Sequence, residues 1–308
     1  EELFSKTDPA IDGEDCEHDC ENCSVSLPAK FKINEDMELY GNLKPWNRHI
    51  LVATGKSDWK HDVADETDSI MQAIAKSDEK VTDGRLIVSA SNMPASLSND
   101  TTTVLLLPSF TIIDNVVPSN TSTLISQHIN TALTNSTPLT TKRETPSPSP
   151  APELQKTLSK QESLSSQPSS EKAPHLLPRP CPHKYIILLC SHRTRDARCG
   201  QSAPLLYKEF ARHLRTHGLF RDIDDERPGG AGVYFVSHFG GHKFAANVVI
   251  YRRGEAEGDG ATQCIWLGRV RPEDCENIVR YSVLKGKVVK PERQLRGGFD
   301  REKGVVSW

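Results

Sequence analysis

Two cysteines and two histidines give the chain its most specific chemistry. Cys190, Cys199, His238 and His242 follow the pattern C-x8-C-x38-H-x3-H. Thiolate sulfur and imidazole nitrogen are soft to borderline donors, suited to zinc or to an iron-sulfur centre. Zinc-finger sites usually bring their paired cysteines within about two to four residues, so this gap fits them poorly, although H-x3-H alone would fit. The spacing favours an object wider than one ion. A [2Fe-2S] rhombus takes ligands from two directions, and a cysteine pair facing a histidine pair is the Rieske ligand set without the Rieske spacing.

Two apolar runs must position these donors. Tyr185-Ile-Ile-Leu-Leu189 reads as a strand that delivers Cys190, and Val233-Tyr-Phe-Val236 as a second strand that delivers His238. Between the cysteines, Arg193, Arg195 and Arg198 crowd the loop with positive charge and hydrogen-bond donors. Between the histidines, Gly240 and Gly241 permit the backbone conformations that a tight wrap requires.

The segments Cys190-Ser-His-x-Thr-Arg-Asp-x-Arg-Cys-Gly, His238-x-Gly-Gly-His-Lys-Phe-Ala-Ala-Asn and Ile265-Trp-Leu-Gly-Arg-Val, with the terminal Ser307-Trp308, together resemble the sucrase/ferredoxin-like family. The resemblance is dense from about Pro182 to Arg271 and thin elsewhere. It implies a C-terminal thioredoxin-like ferredoxin in which histidines replace two of the usual four cysteine ligands. Carried over by position, Cys190, Cys199, His238 and His242 would be the ligands of a [2Fe-2S] cluster. It further implies links to actin-patch organisation and oxidative-stress tolerance. The final Val306-Ser307-Trp308 resembles the tail by which cytosolic iron-sulfur proteins are recognised by the targeting complex of the assembly machinery, and reads as a free end.

Three functions compete. The first is a one-electron carrier, rather than an enzyme with its own substrate. Histidine ligation raises Rieske potentials to roughly −150 to +300 mV, against about −400 mV for plant-type ferredoxins, and an exposed ligand imidazole would couple electron uptake to proton uptake. The second is a thiol oxidoreductase, disfavoured because no C-x-x-C follows the strand. The third is a zinc-stabilised or metal-free interaction module. The electron donor and acceptor are not legible.

Composition narrows the setting. A net charge of −3 over 308 residues, with both signs interspersed, gives no case for nucleic acid or membrane binding. No apolar run approaches a membrane span. Eight unevenly placed cysteines suit metal or redox roles in a reducing compartment, so the expectation is the cytosol, with the nucleus as the alternative. The chain starts at Glu1 rather than Met, which leaves room for a preceding segment.

In chain order, residues 1–28 read as a mobile acidic arm whose Cys16, Cys20 and Cys23, with His18 between, offer a weak metal-binding pattern. Residues 29–118 read as a first domain, with strands at His49–Ala53, Arg85–Ser89 and Thr103–Leu107 and a helix over about Ala64–Ala75. Its beginning parallels that of the second domain, 182–290, but lacks cysteine. The expected fold is therefore α/β: two thioredoxin-like domains, of which the C-terminal one is the ferredoxin, joined by a disordered linker. That linker, 119–181, is rich in Ser, Thr and Pro, although a helix from about Ser119 to Ala132 would belong to the first domain. In the second domain a helix is expected from Gln201 or Ser202 to His217, with Leu206, Phe210 and Leu214 inward, and another over Pro272–Leu284. His213 and His217 lie four apart on the first of these and read as polar-face residues. Cys264 and Cys275 read as core, and 291–308 as a tail.

Overall fold

A computed structural model describes residues 2–39, 44–95, 101–140 and 173–308. Twelve strands form one mixed sheet: β1 (Arg48–Ala53), β2 (Leu86–Ser91), β3 (Thr102–Leu107), β4 (Thr111–Val116), β5 (Leu177–Pro180), β6 (Tyr185–Cys190), β7 (Phe220–Arg221), β8 (Ala231–Val236), β9 (Val248–Arg253), β10 (Ala261–Leu267), β11 (Leu295–Asp300) and β12 (Val305–Ser307). The order across the sheet is β12-β11-β10-β9-β6-β8-β2-β1-β3-β4-β5, with β7 beside β8.

Each half repeats one arrangement. A parallel pair, β1 with β2 or β6 with β8, is followed by an antiparallel neighbour on its first strand, β3 or β9, and then by β4 or β10, antiparallel again. The halves meet antiparallel at β2 and β8, where Ser91 faces Val236 and Ser237 exchanges hydrogen bonds with Ala90. Two separate sheets were not expected to join, and the sequence carries no mark of this single short seam.

β1 and β6 are buried along their whole length, which is why they read as unbroken apolar runs rather than alternating ones. Successive side chains still go to opposite faces. Leu51 and Ala53 of β1 join Ile186, Leu188 and Cys190 of β6 in one core that runs across both halves. There Trp46 Nε1 donates to Tyr251 Oη (3.2 Å), which also lies 3.2 Å from His49 Nδ1 and so ties the halves together. The alternate residues build two further cores under the helices. Ile50 and Val52 pack with Ile70, Leu124 and Ile125, and Ile187 and Leu189 pack with Leu206, Phe210, Leu214, Ile278 and Val283.

The helices differ from the sequence reading in their ends. The first is Ile70–Lys76, capped by the Ser69 hydroxyl, with a separate turn at Val63–Asp65. Helical segments also occupy 118–129 and 272–283. The long helix is Ala197–Thr216, begun by Asp196, whose carboxylate accepts from the Arg198 N–H. It was expected to start near Pro204 because proline favours a first turn; instead Pro204 lies inside it and leaves the Gly200 carbonyl without its usual donor.

Three boundary expectations are corrected. The arm is docked, not loose: Asp12 pairs with Lys285 and Lys287, Asp15 with Arg280, and Cys16 is buried with Tyr281 and Val289. At the ends of the expected linker, the helix read over about Ser119–Ala132 is present as helical segments at 118–129, whereas β5, which completes the sheet edge, was not expected; 141–172 lie outside the described residues. The expected tail carries β11 and β12, so Trp308 is not a free end. Its ring packs 4.4 Å from Trp46 and 6.3 Å from Trp266, centroid to centroid. Among the described residues no helix is long and apolar enough to cross a membrane.

Candidate metal centre

The two parallel strands of the second half end side by side, Cys190 opposite Val236, and that register brings the cysteine and histidine loops together. Cys190 is the last residue of β6 and is 2% exposed; its N–H donates to the Asn247 carbonyl. Cys199 sits in the first turn of the long helix and is 1% exposed. Its sulfur reaches the Cys190 sulfur, and together with the nearby His238 ring this favours the Cys190 thiolate. The same contact, with burial, holds Cys199 in its protonated form.

His238 follows β8 by two residues and is half-buried, and His242 follows the Gly240-Gly241 turn and is exposed. His238 Nε2 lies 3.4 Å from His242 Nδ1, with the ring centroids 5.0 Å apart. Nδ1 of His238 is buried and has no hydrogen-bond partner. Burial, and then the neighbouring His238 charge, lower the His242 pKa, so its imidazole is neutral and its lone pair free to ligate. Gly241 is held at φ +67°, and a Cβ there would strike the Arg296 guanidinium.

The four expected ligand residues are thus gathered, but not around one point. Among the described residues, the only group of three or more Cys, His, Asp or Glu donors lying mutually within 4.8 Å is Cys20, His213 and Glu276. No three of Cys190, Cys199, His238 and His242 meet that condition, so the set is too spread for a single tetrahedral ion without movement. It divides into a buried thiol pair and an imidazole pair nearer the surface.

Several residues that hold this arrangement went unassigned in the sequence. His192 is buried and neutral, because burial lowers its pKa. Its Nδ1 accepts from the His238 N–H (3.2 Å), and its Nε2 donates to the carbonyls of Trp59 (3.2 Å) and Lys60 (3.0 Å). The loop after β1 therefore braces the ligand loop: Asp58 accepts from the N–H and hydroxyl of Thr194, and Arg195 donates to the His61 carbonyl. Asn247 donates to the Gly241 carbonyl and accepts from Trp266 and Arg296. The only advance signal was that both His192 and Asn247 stand inside the two ligand motifs.

The three arginines do less than expected. Arg193 is exposed, its Cβ packed where a side chain on Gly200 would have to go, and Arg198 is paired to Asp196 at 2.7 Å. The buried charge is Arg296, stacked on Trp266 and Phe244, whose Nε and Nη2 have no hydrogen-bond acceptor. A cleft of about 320 Å³ opens beside His238, lined also by His61, Arg85, His192 and Arg195.

Of the weak metal candidates, Cys16 is apart from the other two, sealed against Tyr281. Cys20 and Cys23 lie together beside the far end of the long helix.

A match to the family described as sucrase/ferredoxin-like covers residues 39–297. The chain is 29% identical over 304 residues to actin patches distal protein 1 of Saccharomyces cerevisiae, covering 93% of this chain and 85% of that protein. It is 38% identical over 117 residues to altered inheritance of mitochondria protein 32 of Clavispora lusitaniae, or 38% of this chain and 37% of that one. Over 107 residues it is 39% identical to the Debaryomyces hansenii protein of the same name, 35% of this chain and 34% of the other. No solved structure matches.

Proposed function

The chain belongs to the sucrase/ferredoxin-like family, and from that premise we propose that it transfers single electrons through a [2Fe-2S] cluster held by Cys190, Cys199, His238 and His242. The observation that carries this reading is the division of the donor set: two adjacent buried thiols, two adjacent imidazoles nearer the surface, and a spread beyond one ion's reach. The unpartnered Nδ1 of His238 and the unpaired Arg296 under the Gly240-Gly241 turn also fit a centre that offers a bond to nitrogen and negative charge. When bound, such a cluster supplies a one-electron couple at a potential above that of all-cysteine ferredoxins.

The protein's own residues position and shield. His192 and Asn247 fix the two ligand loops, burial keeps water from the thiols, and the cleft beside His238 gives a redox partner its approach. The strand order shared by the halves supports reading both as thioredoxin-like, the second as the ferredoxin. We place the protein in the cytosol, with no nucleic acid or membrane ligand, and read Val306, Ser307 and Trp308 as the segment recognised during cluster assembly. That recognition would require β12, only three residues long, to leave β11. The relatives are named for actin patches and for mitochondrial inheritance; for this chain we read such links as consequences of electron transfer.

The contact between Cys190 and Cys199 also suits a thiol-disulfide couple, but cysteines only 2% and 1% exposed are closed to exchange with a protein thiol.

The test is the visible spectrum of freshly purified protein, with iron and acid-labile sulfide measured on wild type, Cys190→Ala and His238→Ala. About two irons and two sulfides, lost or altered in both variants, are expected. A colourless protein, even after cluster assembly is supplied, would refute the reading.

A further inference from the structure

Among the described residues, the tightest cluster of metal-ligating side chains lies elsewhere. Cys20 of the acidic arm, His213 of the long helix and Glu276 of the 272–283 segment offer a sulfur, a nitrogen and an oxygen mutually within 4.8 Å. His213 stands 14 residues after Cys199 on one helix, about 21 Å along its axis, so this is a second place in the molecule.

Three further observations point to a cation there. Cys23 follows Cys20 with the two-residue spacing of structural zinc sites, and its thiol donates to the Cys20 carbonyl (3.5 Å). Next, the Arg212 Nη2 stands 3.3 Å from the Cys20 sulfur and 3.1 Å from His213 Nε2. Arginine can only donate, so a sulfur lone pair and a nitrogen lone pair converge on one positive group. Finally, the Glu209 side chain is 0% exposed, and its Oε2 accepts no hydrogen bond although Arg212 Nε lies 3.0 Å away and His213 Nε2 3.5 Å away. Its other oxygen holds the chain just past Cys23, accepting from the N–H (2.8 Å) and hydroxyl (2.5 Å) of Ser24.

We propose that Cys20, Cys23, His213 and Glu276 bind one structural zinc ion that fastens the acidic arm to the long helix. Loading releases the two thiol protons, requires the Cys23 side chain to turn from its contact with the Cys20 carbonyl, and leaves Arg212 to balance the net negative charge of two thiolates and a carboxylate on Zn2+. The ion adds a fixed point to an arm already held by Asp12, Asp15 and Cys16. Because the same helix carries Cys199 in its first turn, the arm and the cluster pocket are then tied to one rigid element.

The proposal does not rest on the redox reading, and one experiment separates them. Zinc, iron and sulfide are measured by elemental and colorimetric analysis on untagged full-length wild type, on Cys20→Ser/Cys23→Ser and on Cys190→Ala/Cys199→Ala, each after zinc addition and dialysis. The expected pattern is about one zinc per chain in wild type and in the Cys190→Ala/Cys199→Ala protein, and background zinc with unchanged iron in Cys20→Ser/Cys23→Ser. Background zinc in wild type, or zinc that survives Cys20→Ser/Cys23→Ser, overturns the proposal. Should that double variant fail to fold, cobalt substitution of the Cys190→Ala/Cys199→Ala protein decides. Thiolate-to-cobalt charge-transfer and tetrahedral d–d bands, weakened by Glu276→Gln, are expected, and their absence overturns it.

Discussion

His192→Phe tests whether the first half braces the ligand loop. Phenylalanine keeps the edge-on ring contact with Trp59 (centroids 5.7 Å apart) and removes only the nitrogens. Two sets of hydrogen bonds vanish: His238 N–H to Nδ1, and Nε2–H to the carbonyls of Trp59 and Lys60. A buried polar group left without its partner costs about 1–3 kcal/mol, so two stranded sites should cost roughly 2–6 kcal/mol in all. About 3 kcal/mol corresponds to roughly a hundredfold in the ratio of open to closed ligand loop. The assay is iron release to a chelator in native buffer, alongside a urea melt followed by tryptophan fluorescence. Release should quicken by one to two orders of magnitude, and His192→Gln, which keeps a donor and an acceptor, should recover part of the loss. If His192→Phe lowers stability by less than about 1 kcal/mol and leaves iron release unchanged, the loop after β1 is not a brace.

Three further outcomes are expected. Gly241→Ala should lose iron while melting close to wild type, because the new Cβ meets Arg296 at a residue held at φ +67°; iron content after purification checks it. Acid should free the arm: Lys287, with the helix turn at Asp8 and Lys285, lowers the Asp12 pKa from 3.8 to about 2. A depressed carboxyl stabilises above its unfolded value and loses that contribution as pH falls from about 4 to 2, some 1 kcal/mol after solvent screening. Hydrogen exchange of residues 8–16 should show this loss, and Asp12→Asn should show it already at neutral pH. Trp308→Ala should reduce iron loading in cells but not in chemical reconstitution, if the terminal segment serves assembly rather than the pocket. Equal loading in cells by iron assay would refute that role.

The donors were legible because their chemistry is rare and their strands are unbroken apolar runs; Cys190 and His238 fall where β6 and β8 end. Their spread could not be read, since it depends on the parallel register of Cys190 with Val236 and on a helix that starts at Asp196 instead of near Pro204. β5 and β11 were missed because Pro178 and Pro180 in the one and Gly297 and Gly298 in the other argue against strands locally; β5 tolerates its prolines at the sheet edge, while β12 is only three residues long. The docking of the arm rests on pairs such as Asp15 with Arg280, more than 250 residues apart, which leave no periodic trace. For the same reason His213 read as an ordinary polar-face histidine, because Cys20 is brought to it by the fold alone.

The register of the two halves shows why the Cys190 and His238 positions have no counterpart donors in the first half. In β1 the residue that corresponds to Cys190 is Ala53, paired with Ser91 as Cys190 is with Val236; two residues past Ser91 stands Met93, where two past Val236 stands His238. Ala53 and Met93 are both buried in the core that crosses the sheet. The first half has thus filled these two positions with an alanine and a methionine, neither of which offers a thiolate or an imidazole. What it keeps is the loop after the strand, whose Ser57, Asp58, Trp59, Lys60 and His61 all hydrogen-bond the segment Ser191–Arg195. The antiparallel seam at β2 and β8 is what points that loop at the other half's ligand loop. A ligand loop so held from outside its own half has less freedom to collapse around one small ion, and that supports the wider, two-sided occupant that the donor spacing first suggested.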